Sequence, residues 1–123
     1  MQTIVLIMRR KAIAQGLAQS LGGGPRVILE PSHRYAQARI RAGGADIALV
    51  EIAESGSHGA AKCLALCDRL REDAPQCKLL LMCPEQDQDS VARAIEAKCR
   101  GRIDDFVFYD VTTDYLVSKL LSM

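Results

Sequence analysis

Three apolar runs of this chain end in side chains capable of chemistry. The first gives way to Arg9 and Arg10, another carries Glu51 near its end, and a third stops at Cys83-Pro84-Glu85. A carboxylate at a strand end can ligate a hard cation, attack a phosphoryl group, or accept a charge-assisted hydrogen bond from a guanidinium. Glu51 with Arg9 or Arg10 fits the last of these; the plainer expectation is a solvent-facing acid whose pairing adds about 0–1 kcal/mol. Cys83 could serve as a nucleophile or phosphate carrier only if its neighbours depress the thiol pKa.

The remaining reactive residues carry weaker signals. Cys63 and Cys67 stand one helical turn apart, but no histidine or third cysteine has metal-like spacing to them, so they read as small buried hydrophobes. His33 and His58 are isolated in polar segments, with no Ser, Cys or Asp in triad order. Gly22-Gly23-Gly24 follows a helical pattern and does not open one, which gives a turn and not a phosphate cradle. Neither a metal nor a cofactor is expected.

The elements that must position these groups follow from periodicity. Thr3–Met8 is a continuous, β-branched-rich run, as in a strand covered on both faces. Ala12, Ile13, Leu17 and Leu21 recur at helical spacing before the glycine turn, and Arg26–Glu30 reads as a second strand closed by Pro31. Tyr35, Ala38 and Ile40 mark a short helix ending at Gly43-Gly44. Ala45–Ala53 is the third strand, and a polar, flexible stretch over Glu54–Gly59 leads into a helix over Ala60–Asp73. Lys78–Cys83 is the fourth strand; Ser90 is read as the N-cap of a helix carrying Val91, Ala94 and Ile95. Phe106–Tyr109 is the fifth strand, and Tyr115, Leu116, Leu120 and Leu121 line one side of a last helix.

Strands that alternate with helices over short connections predict an α/β domain with a parallel sheet, because parallel neighbours need crossovers. A flavodoxin-like, doubly wound five-stranded sheet of order 2-1-3-4-5, with helices on both faces, is the expected arrangement. Its functional crevice would lie at the carboxyl ends of strands 1 and 3. A length of 123 residues fits one domain over 1–123, and 49% hydrophobic with 25% charged residues excludes a disordered or fibrous chain. Sixteen basic against fifteen acidic residues leave no global field to gather a polyanion, so direct nucleic-acid binding is not expected. With no apolar run of roughly 20 residues, a membrane is not expected either, and a cytoplasmic location is. Five cysteines, an odd number, fit reduced thiols.

The run Asp46-Ile-Ala-Leu-Val-Glu51 followed by Gly59 resembles the third strand, phosphoacceptor loop and helix start of bacterial response-regulator receiver domains (CheY-like). In those domains an Asp ends the strand and a Gly stands eight positions later; Glu51 and Gly59 keep that separation. Leu6–Arg9 resembles the first strand entering the acidic site, and Asp104–Tyr109 the run into the conserved lysine, so the resemblance covers essentially the whole chain.

The resemblance implies a role for each matching position, and the residue types depart from it. Glu51 takes the phosphoacceptor position but is one methylene longer than Asp. Met8 and Arg9 take the acidic-pair positions that would hold Mg²⁺, Cys83 that of the switch Thr or Ser, and Tyr109 that of the Lys, with Asp110 in place of the following Pro. These departures make the chain resemble a degenerate receiver: a non-enzymatic module of two-component phosphorelay signalling that acts by phosphorylation-independent protein–protein interaction. Its partner would be another protein or a second copy, met through the face of the fourth helix, fifth strand and fifth helix, with Tyr109, Asp110 and Tyr115 as the contact residues. The alternative is a small flavodoxin-like enzyme or ligand-binding domain that uses the crevice near Cys83.

Overall fold

The computed structural model describes residues 2–52 and 56–123. Strands β1 (Thr3–Ile7), β2 (Arg26–Glu30), β3 (Ile47–Glu51), β4 (Lys78–Cys83) and β5 (Asp105–Phe108) form one parallel sheet of order β2-β1-β3-β4-β5. Helices α1 (Lys11–Leu21), α2 (Ala36–Gly43), α3 (Gly56–Asp73) and α4 (Gln88–Cys99) make the crossovers, and α5 (Thr113–Ser122) follows the last strand. This is the expected flavodoxin-like arrangement, with helices on both faces.

The period-two geometry of a strand divides the core into two layers. Val5, Ile7, Ala48, Val50, Leu79 and Leu81 point to one side, where Ile40 of α2, Leu70 of α3 and Ala94 of α4 cover them. Ile4, Leu6, Ile47, Leu49, Leu80 and Met82 point to the other, against Leu17 and Leu21 of α1 and Leu116 and Leu120 of α5. Strands β1, β3 and β4 are therefore apolar at every internal position, which is why their sequence shows no alternation.

Several boundaries differ from the sequence reading. α3 begins at Gly56, inside the stretch expected to be a flexible loop, while Ala53, Glu54 and Ser55 and the side chain of His58 lie outside the described residues. Asp87, not Ser90, caps α4: its side chain accepts the Ser90 N–H, and the buried Ser90 hydroxyl donates back to it at 2.7 Å. Periodicity also overcounted the helix faces. Ile13, Ile95, Tyr115 and Leu121 are exposed, because a helix laid on a sheet buries a narrow stripe whose other positions were taken by Ala14, Ala97, Leu116 and Leu120. Gly44 closes α2 in the left-handed region at φ 58°, a conformation that costs a non-glycine residue about 1–2 kcal/mol.

Candidate functional site

The order β2-β1-β3 brings three strand ends together at the carboxyl rim of the sheet. Beyond β1 the chain runs on through Met8, whose N–H donates to the Glu30 carbonyl at 3.2 Å and whose side chain is buried in the α1/α5 layer. The next two residues turn toward β3. The Arg9 N–H donates to Glu51 Oε1 at 2.9 Å, and Arg10 Nε donates to Oε2 at 2.5 Å.

Glu51 is therefore not the solvent-facing acid of the plainer expectation: it is 2% exposed, with both carboxylate oxygens occupied. A buried carboxylate needs such partners, since an unpaired one would lose its hydration without compensation. Arg10 is itself held from two further sides. Its guanidinium carbon lies 4.1 Å from the centroid of the Tyr109 ring, and Nη2 approaches Met82 Sδ at 3.1 Å. Stacking of this kind contributes about 0.5–2 kcal/mol, and it fixes the planar fork that the carboxylate binds.

Tyr109 follows β5 and is anchored by its own N–H to the Cys83 carbonyl at 3.1 Å. Its hydroxyl donates to the Ile52 carbonyl. Burial, reinforced by the nearby Glu51 charge, pushes the phenol up to about 12, so it stays a neutral donor. The hydroxyl points into the rim, whereas Asp110 and Tyr115, expected beside it on a contact surface, are exposed.

Cys83 is fully buried. Burial first, then the charges of Asp87 and Glu85, push its thiol up to about 11, opposite to what a nucleophile near neutral pH requires. The reading of Cys83 as the centre of an enzymatic crevice therefore has no support from its surroundings. Cys63, Cys67 and Cys77 are buried too, while Cys99 is exposed; the hydrogen bond that the Cys63 thiol makes to Cys67, with burial, holds Cys63 well above the ordinary thiol range.

The sequence reading missed His33. Taken as an isolated loop residue, it places Nε2 2.7 Å from the Glu51 carbonyl oxygen, and since a carbonyl only accepts, this nitrogen carries the proton. A signal was present: Pro31-Ser32-His33 follows β2, and in a 2-1-3 order that loop must lie beside the ends of β1 and β3.

The receiver resemblance implies a magnesium ion at this rim, and the residues present do not fit one. Mg²⁺ demands several oxygen ligands, whereas the positions beside Glu51 carry a thioether and two guanidinium groups, one of them bound to the carboxylate. Among the described residues no group of three or more His, Cys, Asp and Glu side chains could hold a metal ion. No described helix is long and apolar enough to cross a membrane.

No known family profile and no curated protein matches this sequence. Solved structures do match. A response regulator from Thermotoga maritima superposes with a TM-score of 0.75 at 18% identity, over 98% of this chain and 95% of its own. A CheY-like response regulator receiver domain protein from Methanospirillum hungatei JF-1 gives 0.78 at 17%, over 99% and 92%. A CheY-like protein, tadZ, from Pseudomonas aeruginosa PAO1 gives 0.74 at 18%, over 99% and 98%. The strand order, the two-layered helix packing and these superpositions together establish that this chain has the fold of the CheY-like response-regulator receiver domains.

Proposed function

We propose that this chain is a degenerate receiver: a signalling module that works by protein–protein contact and whose phosphoacceptor-equivalent residue, Glu51, is permanently engaged by Arg10. The observation that carries this reading is the pair itself. Glu51 is buried, its oxygens accept from the Arg9 N–H and Arg10 Nε, and Arg10 is clamped by Tyr109. For a phosphoryl group to reach the carboxylate, a charge-assisted hydrogen bond of about 1.5–3 kcal/mol must first break, with no acidic partner at Met8 or Arg9 to bring in a metal. The guanidinium performs continuously what a transient phosphate and its metal would do in a switching domain: it holds the rim in one arrangement. Tyr109, in the position equivalent to the conserved lysine, reports that arrangement through its hydrogen bond to Ile52.

A second reading of the exposed face fits the same module. Ile95 of α4 and Tyr115 and Leu121 of α5 are each about half exposed, and such half-exposed apolar side chains suit a protein partner or a second copy. Incubation with acetyl phosphate or beryllofluoride plus Mg²⁺, followed by intact mass and amide NMR shifts, tests the proposal. The expected result is an unchanged mass and an unchanged spectrum at residues 8–10, 51–52 and 109. A Mg²⁺-dependent adduct on Glu51 overturns it.

A further inference from the structure

The sheet edge opposite β5 has the features of a strand-pairing surface. β2 ends the strand order, with β1 as its one strand neighbour among the described residues. The Arg26 N–H donates to the Gln2 carbonyl at 2.8 Å, and the Glu30 carbonyl accepts the Met8 N–H at 3.2 Å, so residues 26, 28 and 30 turn their backbone groups toward β1. The same alternation turns the N–H and C=O of Val27 and Leu29 outward. Natural edge strands are usually protected by a charge within the strand, a proline or a bulge. β2 pairs with β1 residue for residue from Arg26 to Glu30, and its centre is Val27-Ile28-Leu29, with Leu29 37% exposed.

The strip of α1 beside that edge is also without charge. Residues 12–25 include no acid or base, in a chain that is 25% charged. Ala12, Gln15, Gly16 and Gln19 are exposed and, with Ala18 and Leu29, line a shallow groove of about 650 Å³ between α1 and β2. Gly16 stands in the middle of an 11-residue helix, where glycine is a poor helix former. A Cβ added there would meet no packed neighbour within 4 Å among the described residues, so the chain's own packing does not require the glycine. Close approach of another surface would.

We infer that β2 and α1 form an interface between two copies of this chain, in which the two β2 strands pair antiparallel about a twofold axis at Ile28. The strand Arg26-Val-Ile-Leu-Glu30 is complementary to its own reverse. In this register Val27 stands opposite Leu29 of the second copy, where their outward backbone groups exchange hydrogen bonds, and Arg26 stands opposite Glu30 of the second copy, an opposite-charge cross-strand pair. Registers shifted by two residues would set Ile28 opposite Arg26 or Glu30 instead. Glu30 can take a further donor: Oε1 accepts from Arg39 at 3.0 Å and Oε2 from the Ser32 N–H at 2.9 Å, while a carboxylate has about four acceptor sites. Paired strands lie about 4.8 Å apart, which draws the two α1 helices toward each other on one face of the joined sheet, and Ala12 and Gly16 leave room for that approach. Five strand residues span only about 17 Å, too little alone for the roughly 1,200 Å² of a stable interface, so the α1 contact is part of it. This surface lies away from Glu51 and from the α4–β5–α5 face and depends on the reading of neither.

Sedimentation equilibrium of the full chain, with amide hydrogen exchange followed by NMR, tests the inference. The expected result is a reversible monomer–dimer equilibrium in which the Val27 and Leu29 amides exchange at least about tenfold more slowly at high than at low protein concentration. Leu29→Lys and Arg26→Glu, the second of which sets acid against acid, should weaken the dimer by about tenfold or more. Arg26→Lys should keep it, and Arg69→Glu, the same charge change at an exposed position of α3, should leave it unchanged. Arg26 is exposed, so its variants test the register even if Leu29→Lys fails to fold. A monomer at every concentration up to about 1 mM, a dimer in which exchange at residues 27 and 29 does not change, or equal losses with Arg69→Glu would overturn the assignment. So would a dimer lost in Tyr115→Arg and kept in Arg26→Glu, which would put the contact on the α4–β5–α5 face.

Discussion

At the scale of single residues, Glu51 and Arg10 form a unit, and their value is best measured as a coupling. The carboxylate is buried whereas the Arg10 side chain is one-third exposed, which screens the pair and lowers its contribution below that of a fully buried one. A double-mutant cycle over Glu51→Gln and Arg10→Ala, read by chemical denaturation, should return a coupling of about 1–2 kcal/mol. Glu51→Gln alone should destabilise by more than an exposed Glu→Gln change, since the amide cannot accept at both oxygen positions. A coupling near zero would mean that the carboxylate is held by the Arg9 N–H alone and that Arg10 is no clamp. In the same pair of variants, partner binding that depends on a fixed rim should fall; binding that ignores the rim would remain.

At the scale of elements, Asp105 at the start of β5 joins the sheet to two helices. Its carboxylate accepts from Lys98 of α4 at 3.0 Å, from Lys119 of α5, and from the Phe106 N–H at 2.8 Å. Burial opposes its charge, but the hydrogen bonds from Lys119 and Lys98 outweigh it and hold the carboxyl down at about 2. Because the folded value lies below the unfolded one, this stabilisation is complete above about pH 4 and is lost as the pH falls through about 2. The wild-type chain should therefore lose about 1–2 kcal/mol more than Asp105→Asn over that window, allowing for solvent around the lysines. Urea midpoints at successive pH values check this, and parallel losses in both proteins would show that Asp105 links nothing. The α4–β5–α5 face proposed for partner contact is held together by this carboxylate, so Asp105→Asn should also loosen any complex formed there.

At the scale of the whole molecule, a fold that kept its metal site would gain stability by mass action when the ion is added. Here millimolar Mg²⁺ should leave Tm unchanged, whereas a rise that disappears in Glu51→Gln would reveal a metal site at the rim. How much of this was legible in the sequence differs by layer. The uninterrupted apolar runs Ile4–Ile7, Ile47–Val50 and Leu79–Met82, punctuated by Gly22–Gly24, Pro31 and Pro84, are enough to dictate a parallel sheet covered on both faces. Burial at every position is a property of each residue's own chemistry, and it can be read locally. The spacing from Glu51 to Gly59 and the basic residues after the first strand likewise marked the rim and its charge reversal. Which arginine binds the carboxylate, the partner of His33 and the inward turn of the Tyr109 hydroxyl could not be read in this way. Those contacts join residues 41, 18 and 57 positions apart. Long side chains with many rotamers choose among neighbours that exist only once the crossovers have brought β2, β1, β3 and β5 to one edge. Local hydrophobicity thus determined the architecture, while the docking of the strand ends decided the electrostatics of the site.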